Sequence, residues 1–485
     1  MLKTKIRFSG GADTVTGSNF HLDLDGLNIL VDCGLFQGFQ FASEDNQKFF
    51  DYEPSKIDYL FVTHAHIDHI GRIPKLVRDG FKGVIYSTLE TKLIAEPMFA
   101  DALSLMRSEE ERGGMKAIYS SEDVSLALSL WKDISYGQEI DLEKVHPVRS
   151  SGGVSDYVPA NNEASSSTSK DIDRSTSNGV KVVLYPSGHI LGSALVEIRG
   201  EKSILFTGDL GNKNNLLLEE AVVPKNIEYL VTESVYGNRN HETSEARHDK
   251  LEHAIKEIIK NKGTLIIPAF SLERTQHILY EINNLVEDNK VPVIPVYLDS
   301  PLAIKLTEIY KKSTDKFKKE IRDEIESGDD IFDFPKLSIS RGHDDSEAIY
   351  DKPSPKIILA GSGMSMGGRV IFHEKKYLSD PKNIILFVGY QAVGSLGRRI
   401  AEGERKVEIM GEKIKVEAKV LQIEGYSSHR DSDGLVEYVE KIAPKKVFVV
   451  MGEPKASTYL AQRIKEELDI EAVVPEKSAT YEVAL

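Results

Sequence analysis

The strongest constraint on this chain comes from the segment FVTHAHIDHIG at residues 61–71, which follows an apolar run. Four side chains of metal-binding type, His64, His66, Asp68 and His69, fall within six consecutive positions. Side chains two positions apart in an extended segment point to the same side, so His64 and His66 form a pair, with Asp68 and His69 beside them. Imidazole suits zinc, iron or manganese, and a carboxylate helps to hold a second ion. The segment therefore predicts a site for two adjacent metal ions.

Such a site needs ligands from elsewhere in the chain, and other predicted strand ends offer them. His189 lies in YPSGHILGSA and Asp209 in SILFTGDLG, each directly after a predicted strand. His189 would complete three imidazoles for one ion, and Asp209 would bridge the two ions. Asp32 in ILVDCG also follows a strand, and we predict that it orients the ligand histidines rather than binding metal. Strand ends are rigid scaffolding, on which α/β proteins position their chemistry.

The chemistry of such a centre is hydrolytic. A bound metal ion lowers the pKa of water from ~15.7 to about 7, which supplies hydroxide at neutral pH. Two ions ~3.5–4 Å apart can hold that hydroxide and stabilise the oxyanions of an in-line phosphoryl displacement. The cluster therefore predicts a metal-dependent phosphoryl hydrolase, and we count Asp68 among its catalytic residues.

Short apolar strands alternate with amphipathic helices along most of the chain, a pattern typical of the α/β class. At 485 residues the chain is long enough for two or three domains. Residues 150–179 break the alternation because they are rich in Ser, Asn, Asp and Gly, and we interpret them as a polar surface insertion without chemistry. The segment VEIMGEKIKVEAKV predicts a β-hairpin that turns at Gly411.

Bulk properties exclude some classes of protein. The net charge of −15 argues against coating nucleic acid by bulk electrostatics, although a nuclease with a local basic groove stays compatible with it. No apolar run approaches the ~18 residues that span a membrane, and the N-terminus has no stretch of signal-peptide type. The single cysteine, Cys33, excludes an internal disulfide and fits a reducing compartment. We therefore expect a cytoplasmic protein without a membrane partner.

Several motifs resemble those of one known family. HAHIDH, GHILGSA and FTGD resemble the metal motifs of the metallo-β-lactamase superfamily. VTESVYGNR and GYSSHRD resemble the acidic motif and the FSAHxD-type motif of its β-CASP nuclease branch, at Glu233 and His429. PAFSLERTQ, DSPLA and SGMSMGGR resemble segments of the β-CASP insert itself. The resemblance covers nearly the whole chain apart from residues 150–179.

The resemblance implies an architecture, a cofactor and a substrate. The fold would be an αββα metallo-β-lactamase sandwich, formed by residues 1–235 and 415–485, with an inserted β-CASP α/β domain at residues 236–414. The cofactor would be one or two zinc ions, with manganese as an alternative. The substrate would be RNA, cleaved as a phosphodiester by an endonuclease or a 5′-exonuclease, and a homodimer is compatible with the family.

Glu233 and His429 suit the departure of the leaving group. Cleavage requires a proton for the leaving alkoxide, and a histidine with a pKa near neutral can donate it. A neighbouring carboxylate holds the tautomer and the charge of that histidine. The resemblance therefore implies that His429 is a general acid or a substrate contact and that Glu233 supports it.

The Gly-rich segment SGMSMGGRV follows a predicted strand and precedes a predicted helix. Exposed backbone N–H groups at the start of a helix bind phosphate. We expect this segment to hold the RNA backbone through Ser362, Gly363, Met364, Gly367, Gly368 and Arg369. The remaining candidate phosphate contacts are Arg239, Arg274, Arg398 and Arg399.

The chain departs from the family pattern at two positions. RNA-cleaving members carry a His–Gly–Glu where this chain reads Met451, Gly452 and Glu453, and that histidine binds the second metal. A thioether is a poor ligand for zinc, so we expect a weakened second site. Glu273 stands where relatives usually have glycine.

Met451 keeps two alternatives to a ribonuclease open. One is a DNA nuclease or a small phosphodiesterase of the same superfamily, because DNA-processing members also carry an apolar residue there. The other is a catalytically weak RNA-binding subunit. The sequence leaves the RNA preference, the direction of cleavage and the native metal undecided.

Overall fold

A computed structural model describes residues 3–38, 42–142, 179–392 and 394–485. The predicted polar insertion at residues 150–179 lies outside these ranges except for its last residue. Three main β-sheets and a separate hairpin form the framework of the described part of the chain.

The first sheet has seven strands and begins as an antiparallel meander. Its strands are β1 (Lys3–Gly10), β2 (Asn19–Leu24), β3 (Leu27–Val31), β4 (Tyr59–Phe61), β5 (Val84–Ser87), β6 (Trp131–Asp133) and β22 (Thr480–Ala484). Their order is β22-β1-β2-β3-β4-β5-β6. Strands β3 to β6 are parallel, so the ends of β3 and β4 lie at one edge of the sheet.

The second sheet also has seven strands and contains both the end of the first half of the chain and its C-terminal part. Its strands are β7 (Glu139–Asp141), β8 (Lys181–Pro186), β9 (Ala194–Arg199), β10 (Ser203–Phe206), β11 (Tyr229–Thr232), β20 (Lys446–Val449) and β21 (Glu471–Val473). Their order is β21-β20-β11-β10-β9-β8-β7. Because β11 pairs in parallel with β20, the chain leaves this sheet after residue 232 and returns about two hundred residues later.

The two seven-stranded sheets pack face to face and carry helices on their outer faces. Apolar side chains of both sheets, such as Phe20 and Phe206, form one buried cluster with their rings stacked at 5.8 Å. The helices of the first half are α1 (Ala42–Gln47), α2 (Ile67–Ile70), α3 (Ile73–Arg78), α4 (Leu89–Glu111) and α5 (Ser121–Ser129). Near the C-terminus, α13 (Ser432–Ile442) and α14 (Pro454–Leu468) cover the second sheet through a further apolar cluster. The layers are therefore helix, sheet, sheet and helix, as predicted.

The third sheet is parallel throughout and belongs to the inserted part of the chain. Its strands are β12 (Thr264–Pro268), β13 (Val296–Asp299), β14 (Leu337–Ile339), β15 (Lys356–Ala360), β16 (Ile384–Phe387) and β19 (Lys419–Gln422). Their order is β14-β13-β15-β12-β16-β19. The surrounding helices are α6 (Ser244–Asn261), α7 (Arg274–Glu287), α8 (Pro301–Lys312), α9 (Lys319–Glu326), α10 (His343–Ala348), α11 (Val370–Tyr377) and α12 (Leu396–Ala401).

The end of the inserted part contains the predicted hairpin. Strands β17 (Lys406–Ile409) and β18 (Glu412–Lys415) pair antiparallel around Met410 and Gly411, which both have positive φ, as a two-residue hairpin turn requires. The predicted domain boundary at residue 414 precedes β19, which pairs with β16 of the third sheet, and the exact boundary stays a prediction. Among the described residues, none of the helices combines the length and the apolar character needed to cross a bilayer.

Candidate metal centre

Three loops that follow strands of the two sandwich sheets converge on one point. The loop after β4 carries the histidine-rich segment, the loop after β8 carries His189, and the loop after β10 carries Asp209. The backbone N–H of Ala194 donates to the carbonyl oxygen of Thr63 at 2.7 Å, which fastens the first two loops together. A Cβ atom on Gly208 would lie 2.6 Å from Cβ of Thr63, so only glycine allows the third loop to approach.

Three imidazoles meet at the centre with their ring nitrogens facing one another. Nδ1 of His66 lies 3.0 Å from Nε2 of His64 and 3.2 Å from Nε2 of His189. Burial lowers the pKa of all three rings, and the neighbouring histidines add to this effect, so the rings are neutral at physiological pH. Neutral rings direct lone pairs at a common point. This donor set fits a zinc ion, which binds imidazole nitrogen.

Asp209 joins this three-histidine cluster to a second group of side chains. Its Oδ2 atom lies 3.4 Å from Nε2 of both His64 and His189, and its Oδ1 atom lies 3.4 Å from Nε2 of His69. Burial raises the pKa of Asp209, but His69, His429 and His64 together hold it well below its usual range. The carboxylate is therefore ionised and has one oxygen on each side, as a bridging ligand would.

Asp32 holds His69 from behind through a buried network. Its Oδ2 atom accepts a hydrogen bond from Nδ1 of His69 at 2.7 Å and another from the hydroxyl of Thr63 at 2.8 Å. Its Oδ1 atom accepts from the backbone N–H of Thr63 at 2.8 Å, and Ser18 also donates to Oδ2. Asp32 has a φ of 60°, a left-handed conformation that aims its carboxylate at the loop after β4. Nε2 of His69 is thereby left free to face Asp209.

His429 and Glu233 form a pair beside Asp209. Nδ1 of His429 lies 3.1 Å from Oε2 of Glu233 and 3.8 Å from Oδ2 of Asp209. Burial lowers the pKa of His429, but the Glu233 and Asp209 carboxylates outweigh it and raise that pKa to about 9. The backbone N–H of Leu210 donates to Oε1 of Glu233 at 2.7 Å, which fixes the carboxylate to the Asp209 loop.

Two groups of described residues bring possible ligand atoms within 4.8 Å of one another. One is His64, His66, His189 and Asp209, and the other is Asp209, Glu233 and His429. Asp68 belongs to neither group, although its half-buried carboxyl is close enough to Asp209 to be influenced by it. Burial raises the pKa of Asp68, and the negative charge of Asp209 adds to that shift.

Met451 lies at the end of β20 and is 1% exposed within the apolar cluster between the two sheets. Its backbone N–H donates to the carbonyl oxygen of Gly11 at 2.6 Å, and its φ is 51°. A Cβ atom on Gly11 would lie 3.2 Å from Cγ of Met451, so this side chain packs against the loop after β1. The position where the family resemblance predicts a ligand histidine is thus part of the core here.

The predicted phosphate-binding segment follows β15 and leads into α11. The backbone N–H of Val370 donates to the carbonyl oxygen of Gly361 at 2.9 Å, and a Cβ on Gly368 would lie 2.6 Å from that same oxygen. The Arg369 guanidinium donates to Asp299 at 2.6 Å and to the backbone carbonyl oxygen of Ser340 at 2.8 Å. Arg369 therefore braces the segment against β13 rather than projecting freely from it.

The other candidate arginines differ in what they contact. Arg398 and Arg399 each form an ion pair, with Glu402 and Glu404 respectively. Among the described residues, no carboxylate forms an ion pair with Arg239 or Arg274. Arg239 is exposed, whereas Arg274 is buried and donates to the carbonyl oxygen of Val388 at 2.7 Å.

Three groups that hold the candidate site residues in place were not predicted from the sequence. The hydroxyl of Thr63 lies 3.0 Å from Nδ1 of His64, and the carbonyl oxygen of Ser428 lies 3.2 Å from Nδ1 of His189. Nε2 of His241 lies 3.0 Å from the carbonyl oxygen of His429. Thr63 directly precedes the histidine-rich segment, which is the one signal that would have drawn attention to it.

Comparison with known proteins agrees with this geometry. Residues 15–269 match the metallo-beta-lactamase superfamily, residues 275–400 match the Beta-Casp domain, and residues 413–475 match the Zn-dependent metallo-hydrolase RNA specificity domain. The chain therefore belongs to the metallo-β-lactamase superfamily, in the branch that carries an inserted β-CASP domain. Members of this class are zinc-dependent hydrolases, and the converging imidazoles and carboxylates supply the ligands that such a centre needs.

Relatives resemble the chain over nearly its whole length. Ribonuclease TTHA0252 of Thermus thermophilus is 31% identical over 92% of this chain and 92% of its own. An RNase J-like protein of Methanocaldococcus jannaschii is 30% identical over 97% of both chains. The transcription termination factor FttA of Methanosarcina mazei is 30% identical over 96% of this chain and 70% of its own. A crystal structure of a protein of unknown function from Enterococcus faecalis shares the fold at 12% identity, with a TM-score of 0.51 over 99% of this chain and 100% of that one.

Proposed function

We propose that this protein hydrolyses phosphodiester bonds of RNA in a metal-dependent reaction. The observation that carries the proposal is the position of Asp209, which belongs both to the three-histidine cluster and to the group containing Glu233 and His429. Ligands for a metal and a proton donor therefore share one carboxylate. A phosphodiester bound there would have its phosphorus beside the metal and its leaving oxygen beside His429.

The chain offers ligands for one complete and one weaker zinc site. His64, His66, His189 and Asp209 would hold the first ion, and Asp68, His69 and Asp209 would hold the second. Bound zinc would lower the pKa of a water molecule and polarise the phosphoryl oxygens. Asp32 would support the second site, because its hydrogen bond to Nδ1 of His69 leaves Nε2 available as a ligand.

His429 would deliver the proton that the leaving oxygen needs. Its Nδ1 faces Glu233, so the ring is held in one orientation and Nε2 is the nitrogen that can reach the substrate. Glu233 is fully buried and cannot itself contact solvent, which suits a carboxylate that stabilises the imidazolium form. Proton donation of this kind contributes about 10²–10⁴-fold to a rate.

RNA is the substrate that the comparisons favour. The match at residues 413–475 is to an RNA specificity domain, and two of the relatives described above are named as ribonucleases. The segment Ser362–Arg369 would hold the RNA backbone, since Gly367 is half-exposed and Gly368 is exposed just before α11, where backbone N–H groups can bind phosphate. Cleavage within the RNA strand and cleavage from its 5′ end are both compatible with this site.

Cleavage of end-labelled RNA tests the proposal. The wild type should degrade the RNA with added zinc or manganese, and EDTA should abolish the reaction. The double variant Asp68→Ala/His69→Ala should lose activity, whereas Asp323→Ala, on an exposed face of α9, should keep it. Equal low cleavage by the wild type and the double variant would instead favour an RNA-binding subunit without catalysis.

Met451 supports one alternative, a nuclease that acts on DNA, because an apolar residue replaces the ligand histidine there. Single-stranded DNA of the same sequence belongs in the same assay. A kcat/KM for DNA that exceeds the value for RNA would favour this alternative. Mapping the products of 5′-phosphorylated and 5′-hydroxyl RNA would separate internal from 5′-end cleavage.

Two properties of the whole protein complete the proposal. We propose a cytoplasmic location, which the buried and unpaired thiol of Cys33 supports, because such thiols suit a reducing compartment. Fractionation of cells tests this location. The homodimer stays a prediction, and light scattering of the purified protein tests it.

A further inference from the structure

Three neighbouring strands of the third sheet end beside one another, next to the predicted phosphate-binding segment. β12 lies between β15 and β16, and all three run parallel. In parallel α/β sheets, ligands bind at the carboxyl edge of the strands. Phe270 follows β12, the Gly-rich segment follows β15, and Gly389 follows β16. These three positions therefore form one surface at the edge of the sheet.

Phe270 is an exposed aromatic residue in this surface. Its side chain is 38% exposed although its backbone is fixed, because its carbonyl oxygen accepts from both the N–H and the hydroxyl of Thr275. A Cβ atom on Gly363 would lie 2.9 Å from Cδ2 of Phe270, so glycine at that position gives the ring its room. A rigid, exposed ring is what base stacking requires.

Arg274 supplies a positive charge next to this ring. Its side chain is 8% exposed, its Nη1 donates to the carbonyl oxygen of Val388, and its Nε has no hydrogen-bond partner among the described residues. Burial lowers its pKa only to about 10, so the guanidinium stays positive at neutral pH. Arg274 forms no ion pair among the described residues, although the Glu273 carboxylate lies near enough to oppose the lowering of its pKa, and its Nη2 atom lies on the side of Gly389. A guanidinium that no ion pair neutralises can bind a phosphate.

Gly389 lies next to both groups. A Cβ atom built on it would lie 3.7 Å from Cζ of Arg274 and 3.8 Å from Cε2 of Phe270. Gly389 itself is half-exposed, so it lies at the protein surface beside the ring and the guanidinium. Any side chain at this position would lie over both of them.

A row of side chains leads from this point to the catalytic pair. The guanidinium of Arg239 lies over the ring of Tyr236 at 4.4 Å and 5.7 Å from the ring of Tyr390, the neighbour of Gly389. The Tyr236 ring lies 6.1 Å from the ring of His429. Arg239 therefore stands between His429 and the surface formed by Phe270, Arg274 and Gly389.

We propose that Phe270, Arg274 and Gly389 form a nucleotide subsite of the RNA substrate, here called the Phe270 subsite. One base stacks on the ring of Phe270, and the phosphate of the same nucleotide binds Arg274. Arg239 contacts the phosphate between this nucleotide and the scissile bond. The inference rests on the proposed function, because it assigns one nucleotide of the RNA to the surface beside His429.

A walk of abasic nucleotides tests the Phe270 subsite. A single abasic ribonucleotide is moved along a short RNA of defined cleavage site, and single-turnover kcat/KM is measured at each position. Stacking of one base on an aromatic side chain corresponds to about 5- to 150-fold. The wild type should lose about that factor at one position only. Phe270→Ala should lose the same factor with intact RNA and should be insensitive to the abasic nucleotide at that position.

A glycine variant keeps the test independent of folding defects. Gly389→Leu should cover the ring and abolish the sensitivity to the abasic nucleotide without removing any buried group. Phe49→Ala, which removes a ring that is 95% exposed elsewhere, should behave as the wild type. If Phe270→Ala and Gly389→Leu keep the full sensitivity of the wild type, the Phe270 subsite is refuted.

Binding measured without cleavage separates this inference from the proposed function. Fluorescence anisotropy of the His429→Ala protein with intact and abasic RNA measures the same sensitivity to the missing base as a change in binding, even where no RNA is cut. This sensitivity is here called coupling. Coupling in binding together with no cleavage by the wild type would refute the hydrolase and support the subsite. Cleavage by the wild type without coupling would support the hydrolase and refute the Phe270 subsite.

Discussion

Nδ1 of His429 lies 3.1 Å from Oε2 of Glu233, and the two residues are separated by 196 positions in the sequence. This contact joins the segment after β19 to the loop after β11, so it forms only when the inserted domain brings the chain back to the sandwich. A proton donor assembled in this way depends on both halves of the fold. Its removal should therefore affect the chemical step more than the metal site.

The first prediction concerns this pair. His429→Ala should lower kcat for RNA cleavage by about 10²–10⁴-fold, because the leaving oxygen loses its proton donor. Zinc content should stay within about 20% of the wild type, since the three-histidine cluster is intact. Glu233→Gln should lower kcat less, because the ring of His429 stays in place while its charged form loses a partner. A loss of zinc equal to the loss of activity would show that His429 acts as a ligand instead.

The second prediction concerns the support of His69 by Asp32. Asp32→Asn removes the carboxylate that accepts from Nδ1 of His69 and from Thr63, so zinc affinity should fall by about 10–100-fold. Competition with a coloured chelator measures that affinity. Asp25→Asn in the turn between β2 and β3 has the same charge change and a similar positive φ, and it should leave the affinity unchanged. Unchanged affinity in Asp32→Asn would refute the supporting role.

The third prediction concerns Met451. Purified protein should contain fewer than two equivalents of metal, because a thioether replaces a histidine ligand at the end of β20. Met451→His should raise the content toward two equivalents, and Met451→Leu, which keeps the site apolar, should not. Elemental analysis after dialysis gives these values. Two full equivalents in the unmodified protein would show that the second site needs no ligand from this position.

These predictions separate what the sequence allows one to infer from what only the fold contains. The candidate metal ligands could be proposed from the sequence because four of them stand within six residues and the other two, His189 and Asp209, follow predicted strands. The αββα layers followed from the family motifs, because the alternation of strands and helices indicated only the α/β class. The Phe270 subsite was not predictable, because Phe270 and Gly389 meet only through the pairing of β12 with β16.

The contacts of Arg369 also depend on the fold and could not be predicted from the local sequence. Its place in a Gly-rich segment predicted a free contact with phosphate. Its bond to Asp299, a residue 70 positions away at the end of β13, depends on strand order that no local pattern reports. Among the candidate arginines, Arg239 and Arg274 form no ion pair with a carboxylate in the described part of the chain.

The fourth prediction concerns Glu273, which stands where relatives usually have glycine. Its carboxylate accepts from the hydroxyl of Tyr310 and from Nδ2 of Asn215 at 3.1 Å, and Asn215 also donates to the carbonyl oxygen of Gly188 next to His189. Glu273→Ala would leave the buried hydroxyl of Tyr310 and one N–H bond of the Asn215 amide without an acceptor, which costs about 1–3 kcal/mol for each. The melting temperature should therefore fall by at least ~2 °C.

Glu273→Gln serves as the matched variant, because its amide oxygen can still accept from one of the two donors. Its melting temperature should lie between those of the wild type and Glu273→Ala. Since the same network holds the loop of His189, zinc affinity should fall in the same order as stability. A melting temperature of Glu273→Ala equal to that of the wild type would mean that the network contributes nothing to folding.

The last prediction concerns pH and uses a buried carboxyl far from the metal ligands. Burial raises the pKa of Glu374 on α11 to about 8, while a hydrogen bond from Ser365 opposes the shift, and its Oε2 atom has no partner among the described residues. The unfolded chain releases this proton near the ordinary glutamate pKa of 4.5, whereas the folded protein keeps it until about pH 8. Between those values the folded state binds more protons than the unfolded state, so the contribution of Glu374 to stability falls as the pH rises.

Glu374→Gln keeps the shape of the side chain but cannot ionise, so it should remove this loss. The melting temperature of the variant minus that of the wild type should grow by at least ~2 °C between pH 5 and pH 8.5 and should change little above that. Thermal unfolding followed by circular dichroism at several pH values measures this difference. Glu320→Gln on the exposed start of α9 is the control and should show a constant difference. A melting-temperature difference that stays constant from pH 5 to pH 8.5 would contradict this prediction. It would mean that Glu374 is already ionised in the folded protein across this range.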